Sequence, residues 1–380
     1  MIITMVCDVL GKENNGTTIA AMNLYRSLKA KGHTVKILCP DKDKQGQENY
    51  FVVPTYNLGI FNNYVKKNGV VIAKKDTQII KKAIQGSDII HVMIPFSLAR
   101  SAIKIAKELN IPVTAGFHAQ AENITNHIFL MNSKFVNRCV YKNFYNKFYK
   151  HVDAVHYPTK FIRDVFEKNV GKTNGYVISN GVNTRFVKKT VQKPDNFKDK
   201  FVILFTGRYS KEKSHKVLID AVKYSKYKDK IQLVFAGDGP LKTKLQKYCK
   251  KNLKNQPLFK FFGREEMVDT INYADLYVHP AEIEIEAIAC LEAISCGLVP
   301  VIANSPRCAT KAFALDDNNL FKNKDSKSLA NKIDYWISHP EEKKIYQTRY
   351  EDFVKEFNQD ICMDKMEEML IETVQKHKAG

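Results

Sequence analysis

Acidic residues are outnumbered in this chain, and several familiar signatures are missing. Its 380 residues hold 40 Asp and Glu against 60 Lys and Arg, a formal net charge of +20. A surface this short of negative charge attracts polyanions, either nucleic acid or an acidic membrane leaflet, without distinguishing them. An AT-rich coding bias toward Lys and Asn would account for part of the same excess. No apolar run reaches the ~18 residues of a membrane-spanning helix, and no charged-then-apolar leader opens the chain. The expectation is therefore a protein that neither spans a membrane nor is secreted. Eight cysteines (7, 39, 139, 249, 290, 296, 308 and 362) include no Cys-x-x-Cys pair. They read as small buried residues of a reducing compartment, not as a zinc or disulfide framework. The Gly-x-Gly-x-x-Gly fingerprint of dinucleotide binding is absent as well.

What is present is a hydrophobic fraction of 44% in a chain long enough for two cores. MIITMVCDVL predicts a strand, GKENNGTT a loop, IAAMNLYRSLKAKG a helix and TVKILCP a second, parallel strand. Gly11 and Gly16 in that loop permit close backbone approach to a ligand, though a plain turn explains them nearly as well. The pattern repeats with DIIHVMI (88–94), a helix over 96–109 and PVTAGFH (112–118). It repeats again with DAVHYP (153–158), a helix from Lys160 and YVISNGVN (176–183). VKKTVQKPDNFKDK (187–200) is charged, aperiodic and contains Pro, so it reads as a linker. FVILFT then restarts the alternation, and IQLVFAGDGP, LFKFFG, DLYVHP and VPVIANSP supply four further strands. This specifies an α/β fold of two doubly wound, Rossmann-like sheets. The expected divisions are an N-terminal domain over 1–186, the linker, a C-terminal domain over 201–350 and a closing helical segment over 351–380.

Chemistry concentrates in residues 279–297, HPAEIEIEAIACLEAISCG, where a strand hands over to a helix through a carboxylate-rich turn. Such a junction is where α/β proteins hold ligands, because the strand's carboxyl end and the helix's unpaired N–H groups share one crevice. If Glu284 and Glu292 were both helical, they would be separated by about 12 Å along the axis. That exceeds the ~5–9.5 Å at which paired carboxylates flank one scissile glycosidic bond. They read as two anchors on one elongated ligand; a solvated acidic turn leading into a core helix is the bland alternative.

This stretch resembles the Glu-x7-Glu signature of retaining, nucleotide-sugar-dependent glycosyltransferases of family 4, whose fold is GT-B, two such sheets facing a central cleft. The resemblance implies that Glu284 and the turn after it hold the donor sugar while Glu292 binds the ribose hydroxyls; it also implies that the last helix, within 351–380, packs back on the N-terminal domain. The family commonly has Gly-Phe-Gly where this chain has Ile285, Glu286 and Ala287. Arg208 and Lys213 match the family's Gly-Arg-x4-Lys segment, which implies that they stabilise the charge growing on the leaving diphosphate. His118, just past a strand end, matches a Thr-Phe-His-like segment and is assigned to the donor sugar. The implied catalytic set is His118, Glu284, Arg208 and Lys213. The implied donor-binding set is Gly16, Gly207, Arg208, Lys213, Gly237, Glu284, Ile285, Glu286, Ala287, Ile288 and Glu292. No motif requires a metal or a tightly bound cofactor; Mg2+ is compatible with the set.

Two basic tracts mark the first domain. Residues 64–82 carry the pairs Lys66/Lys67, Lys74/Lys75 and Lys81/Lys82 among Val and Ile. Residues 128–150 hold five cations and no acid, with Lys134, Arg138 and Lys142 on one helical stripe and aromatic residues over much of the rest. A cationic, aromatic helix suits a membrane interface, and burial of its apolar face in the core is the alternative. Residues 281–321 resemble the diacylglycerol-glucosylating branch of the family. The resemblance implies a peripheral protein on the inner face of the cell membrane that transfers glucose from UDP-glucose to 1,2-diacylglycerol with retention. Another lipid or a cell-surface glycan as acceptor is the second reading. A nucleic-acid-binding α/β protein, suggested by charge alone, is the third and is not favoured.

Overall fold

The computed structural model describes residues 1–8, 10, 16–57, 59, 73–126, 128 and 130–380. They form two compact units, one comprising 1–180 with 360–380 and the other 181–359.

The first unit carries β1 (Ile2–Val6), α1 (Gly16–Ala30), β2 (Thr34–Cys39), β3 (Tyr50–Val52), α2 (Thr77–Ile84), β4 (Ile89–Val92), α3 (Ser97–Glu108), β5 (Val113–Gly116), α4 (Ala121–Asn126), α5 (Lys134–Lys147), β6 (Ala154–Tyr157), α6 (Lys160–Val170) and β7 (Gly175–Val177). The sheet order is β3-β2-β1-β4-β5-β6-β7, with every pairing parallel. β4, β5 and β6 are buried at every residue, the pattern of strands covered on both faces. Helix starts are set by short polar side chains. Asp76 accepts from the N–H groups of Gln78 and Ile79, Ser133 from Val136 and Thr159 from Ile162. For α3 the preceding Phe96 offers no such oxygen. The Asp8 carboxylate, just beyond β1, instead accepts from Leu98 N (3.1 Å) and Ala99 N (3.2 Å). Burial pushes the Asp8 carboxyl up to about 7 against the pull of those two N–H groups.

The second unit carries β8 (Phe201–Thr206), α7 (His215–Tyr224), β9 (Ile231–Ala236), α8 (Lys242–Asn252), β10 (Leu258–Lys260), α9 (Arg264–Tyr273), β11 (Leu276–His279), α10 (Ile288–Ser295), β12 (Pro300–Asn304), β13 (Leu320–Lys322), α11 (Ser326–Ser338) and α12 (Pro340–Phe353). Its order, β10-β9-β8-β11-β12-β13, is again parallel throughout and reverses direction between β8 and β11. The carboxyl ends of those two strands therefore flank a crevice, the usual ligand position in a doubly wound sheet. Backbone packs on backbone beside it. A Cβ on Gly237 (φ +150°) would lie 2.1 Å from the Gly207 carbonyl oxygen, so only glycine fits there.

The structure moves the expected domain boundaries. Residues 187–200 are folded onto the second unit rather than spanning free. Phe197 is buried in that unit's core, and Lys189 and Lys193 pair with Asp269 and Asp275. Residues 340–353 are α12 of the same unit. The chain leaves it beside its point of entry, with Val182 N donating to Phe357 O (2.7 Å) and Gln359 N to Val182 O (3.0 Å). The last helix, α13 (Gln359–Ala379), then completes the first unit. Cys362, Met363, Met366, Met369, Leu370 and Val374 are buried with β1, α1 and β2. Among the described residues no helix is long and apolar enough to cross a membrane. All eight cysteines are free, and seven are buried; Cys139 on α5 is the exposed one.

Candidate active site

At the crevice of the second unit, Gly207 and Arg208 follow β8, a short turn brings round Lys213, and β11 ends in His279. Lys213 Nζ is ion-paired to Glu284 Oε2, with both side chains less than a fifth exposed. His279 Nε2 lies 3.5 Å from the same oxygen, and His279 Nδ1 is 3.2 Å from the Tyr277 hydroxyl. Burial by itself would raise the Glu284 carboxyl. The Lys213 ammonium and His279 more than offset it and hold the group at about 2. Burial lowers the His279 ring against Glu284's opposing pull, so it stays neutral, whereas Lys213 is raised by Glu284 despite its own desolvation. The pair is therefore a fixed carboxylate beside a fixed cation. Arg208 is exposed at the same strand end.

Glu284 is not helical. It forms an isolated parallel bridge with Cys308, and α10 begins four residues later at Ile288. The 12 Å estimate, which assumed one helix, does not apply. Ala287 is left-handed (φ 60°, ψ 64°), a conformation that costs a residue with a Cβ about 1–2 kcal/mol. The glycine usual here in the family would adopt it freely. Glu286 and Ala287 are buried and Ile285 is half-buried.

Glu292 sits on α10, half-buried. Among the described residues its carboxylate has no hydrogen-bonded or ion-paired partner. Crowding by the protein pushes it up to about 7, opposed by Arg185. Within one crevice, then, one acid is held ionised and the other lies near its titration point.

Sequence reasoning passed over three neighbours. His279 appeared only as the end of a strand. Glu282 is 5% exposed and accepts at Oε1 from Arg307 Nη1 (2.6 Å) and Lys324 Nζ (2.8 Å). The backbone of Arg307, in turn, accepts from Glu284 N (3.2 Å). The signal for Glu282 was present as an extra acid in the Glu-rich turn, but only tertiary contacts separate it from Glu284.

In the first unit, His118 follows β5. Among the described residues its Nε2 is buried without a hydrogen-bond partner, and burial, then the neighbouring His156 and His91, keep the ring neutral. A Cβ on Gly116 would stand 2.6 Å from that nitrogen, so the ring's place depends on the absence of a side chain two residues earlier. Gly16 opens α1, and among the described residues an added Cβ would meet nothing within 4 Å. No close backbone approach among those residues explains that glycine, and Gly11 lies outside them.

The basic tracts divide differently from expectation. Lys66 and Lys67 lie outside the described residues, and Lys74, Lys75, Lys81 and Lys82 are exposed. On α5 the cations Lys134, Arg138 and Lys142 are exposed, but Tyr141, Phe144, Phe148 and Tyr149 are buried. Phe117 and Phe166 pack against Tyr141 and Tyr149 at ring-centroid distances of 5.0–6.5 Å. Most of the aromatic face is thus core. Exposed apolar residues around α5 include Ile124, Ile128, Leu130 and Phe135, the last 76% accessible. A groove of about 660 Å³ along α3, lined by Phe96, Arg100, Lys104 and Phe144 among others, contains none of the donor residues.

Residues 14–186 match the model described as Glycosyltransferase Family 4, and residues 186–352 that of Glycosyl transferases group 1. The chain is a family 4 glycosyltransferase. It is 27% identical over 319 residues to the alpha-monoglucosyldiacylglycerol synthase of Streptococcus pneumoniae, covering 80% of this chain and 71% of that one. Among solved structures, Anabaena HepE in complex with UDP and glucose superposes with a TM-score of 0.75. That match has 16% identity and covers 98% of this glycosyltransferase and 100% of HepE. The fold is accordingly of the GT-B type. The catalytic domain of the Helicobacter pylori cholesterol-alpha-glucosyltransferase is 45% identical over 40% of this chain and 96% of that one. Its TM-score is 0.39, too low for the superposition to carry an argument.

Proposed function

We propose that this glycosyltransferase moves glucose from UDP-glucose to the free hydroxyl of 1,2-diacylglycerol at an anionic membrane surface, with retention at the anomeric carbon. The observation that carries the donor half is the Lys213–Glu284 pair at the β8/β11 crevice, with Glu292, partnerless among the described residues, on the helix that follows. In the Michaelis complex Glu284 accepts from a sugar hydroxyl, Glu292 from the ribose, and Lys213 with Arg208 faces the diphosphate. The acceptor oxygen bonds to the anomeric carbon on the face from which the diphosphate departs. The bond from that carbon to the phosphate oxygen breaks, and the acceptor's proton passes to a phosphate oxygen. Negative charge grows on the diphosphate as this happens, so fixed cations stabilise the transition state more than the ground state. His118, neutral and with a nitrogen unspent, is proposed to hydrogen-bond a donor-sugar hydroxyl.

The acceptor half is supported by the name of the Streptococcus relative and by the exposed Ile124, Ile128, Leu130 and Phe135 beside Lys134, Arg138 and Lys142. Apolar side chains flanked by cations suit the headgroup boundary of an acidic leaflet. The test supplies radiolabelled UDP-glucose with vesicles containing diacylglycerol, a sterol or neither, and in parallel with soluble glycans. Lipid-extractable label that needs diacylglycerol and is released by an α-glucosidase is expected. Label that follows the sterol or the glycan instead overturns the acceptor assignment, and use of GDP-mannose in preference overturns the donor.

A further inference from the structure

Glu282 has no part in the sugar contacts proposed above, yet as many contacts converge on it as on Glu284. Its N–H donates to Glu212 O (2.7 Å), one residue before Lys213. Its carbonyl accepts from Ser305 Oγ (2.6 Å), and that hydroxyl oxygen accepts from Arg307 N (3.2 Å). Its carboxylate holds Arg307 and Lys324. Lys324 reaches it from a left-handed backbone position (φ 64°), which a lysine adopts only against a steric cost. Segment 307–309 in turn fixes Glu284, because Glu284 N donates to Arg307 O (3.2 Å) and Ala309 N to Glu284 O (2.9 Å). One buried acid thus ties the turn that carries Lys213 to the strand-like segment that carries Glu284.

We infer that Glu282 is a positioning residue of the donor site, setting where Glu284 stands relative to Lys213 through its ion pairs with Arg307 and Lys324. The inference rests on the donor site proposed above. Its backbone tie to Glu212 survives truncation of the side chain, so removing the carboxylate frees the Glu284 segment while Lys213 and Glu292 stay in place. The sugar end of the site should then suffer and the nucleotide end should not.

The experiment measures UDP-glucose kcat and KM, the Kd of UDP alone and the melting temperature for the parent, Glu282→Ala, Glu282→Gln and the double variant Arg307→Gln/Lys324→Gln. Glu282→Ala is expected to lower kcat/KM for UDP-glucose about tenfold or more while the UDP Kd stays within about twofold. Glu282→Gln, which still offers Arg307 an oxygen, should recover a large part of the loss. The double variant should match Glu282→Ala, and combining all three changes should cost little more, as expected for groups acting as one unit. Unchanged kcat and KM in Glu282→Ala overturn the inference. So does an equal loss of UDP and UDP-glucose binding in Glu282→Gln, since that would mark a general structural role. A parent that uses no sugar nucleotide overturns the donor site itself, whereas an active parent with an indifferent Glu282 overturns only this inference.

Discussion

Lys213 and Glu284, 71 residues apart in the chain, neutralise one another at the crevice between β8 and β11. The pair keeps a largely buried carboxylate charged, which burial by itself would oppose. A sugar nucleotide with its diphosphate on Lys213 and a hydroxyl on Glu284 would meet two groups already ionised and oriented.

Removing the cation should therefore cost both binding and stability. Lys213→Ala is expected to lower turnover at least tenfold and to destabilise the second unit by up to about 3–5 kcal/mol, less whatever the partial exposure of Glu284 recovers, because an unpaired, largely buried charge remains. Glu284 is held at about 2 against an ordinary value of 4.5. Its stabilisation is thus complete above pH 4.5 and is lost as pH falls toward 2. Melting curves across that range should show this acid-dependent loss in the parent, and Glu284→Gln should flatten it.

Glu292 has the opposite sign. Its carboxyl is raised to about 7, so a growing share is protonated as pH falls below neutrality. If the ionised form accepts from the ribose, UDP-glucose affinity should fall up to about tenfold per pH unit below 7. Titration calorimetry at pH 6 and pH 8 measures this with a donor whose own phosphates do not titrate there. Glu292→Gln should bind weakly with no such slope. By the same linkage, ionising Glu292 costs stability as pH rises from 4.5 through 7, and the Gln variant should lose that decline as well.

Ala287 occupies a left-handed position. Ala287→Gly should raise stability by up to about 1 kcal/mol, relief of strain exceeding the entropy glycine adds to the unfolded chain. Thermal melts measure it, and the UDP-glucose KM should not worsen.

Glycines at two proposed donor positions should part company. Gly237→Ala places a methyl 2.1 Å from the Gly207 carbonyl and should destabilise by at least about 2 kcal/mol. Gly16→Ala meets nothing within 4 Å among the described residues and should leave the melting temperature nearly unchanged. Any loss of activity in that variant then reports contact with a ligand.

Vesicle flotation separates the two components of the proposed membrane surface. Ile128→Asp with Phe135→Asp should abolish flotation at any salt. Neutralising Lys134, Arg138 and Lys142 to Gln should weaken it by on the order of 1 kcal/mol each, and only with anionic lipid.

The parallel strands were legible because each is an apolar run bounded by turn residues, and the crevice was legible because the acids of residues 282–292 sit between such a run and a helix. The short strands β3 and β13 were not. Tyr50–Val52 follows the polar run GQEN and Leu320–Lys322 the polar run DDNN, and each merges with the loop before it, whereas the equally short β7 and β10 stand in a strand-helix alternation. The buried aromatics of α5 were misplaced because a helix rich in Tyr and Phe all round its axis has no composition-level distinction between its core face and its outer one. Only the packing of Tyr141 and Tyr149 against Phe117 and Phe166 decides that. Ion pairs such as Glu282 with Arg307 join residues 25 apart, and nothing local in the sequence links them.

The return of α13 to the first unit has a consequence for how the protein is made. Residues 1–180 emerge from the ribosome with a seam that Met363, Met366, Met369 and Leu370 have yet to fill. At ~5–20 residues per second, the remaining 200 residues take roughly 10–40 s to synthesise. Through that interval the newborn chain carries uncovered hydrophobic surface, a natural substrate for holding chaperones. A stop codon near residue 358 would accordingly cripple the beginning of the protein as surely as its end.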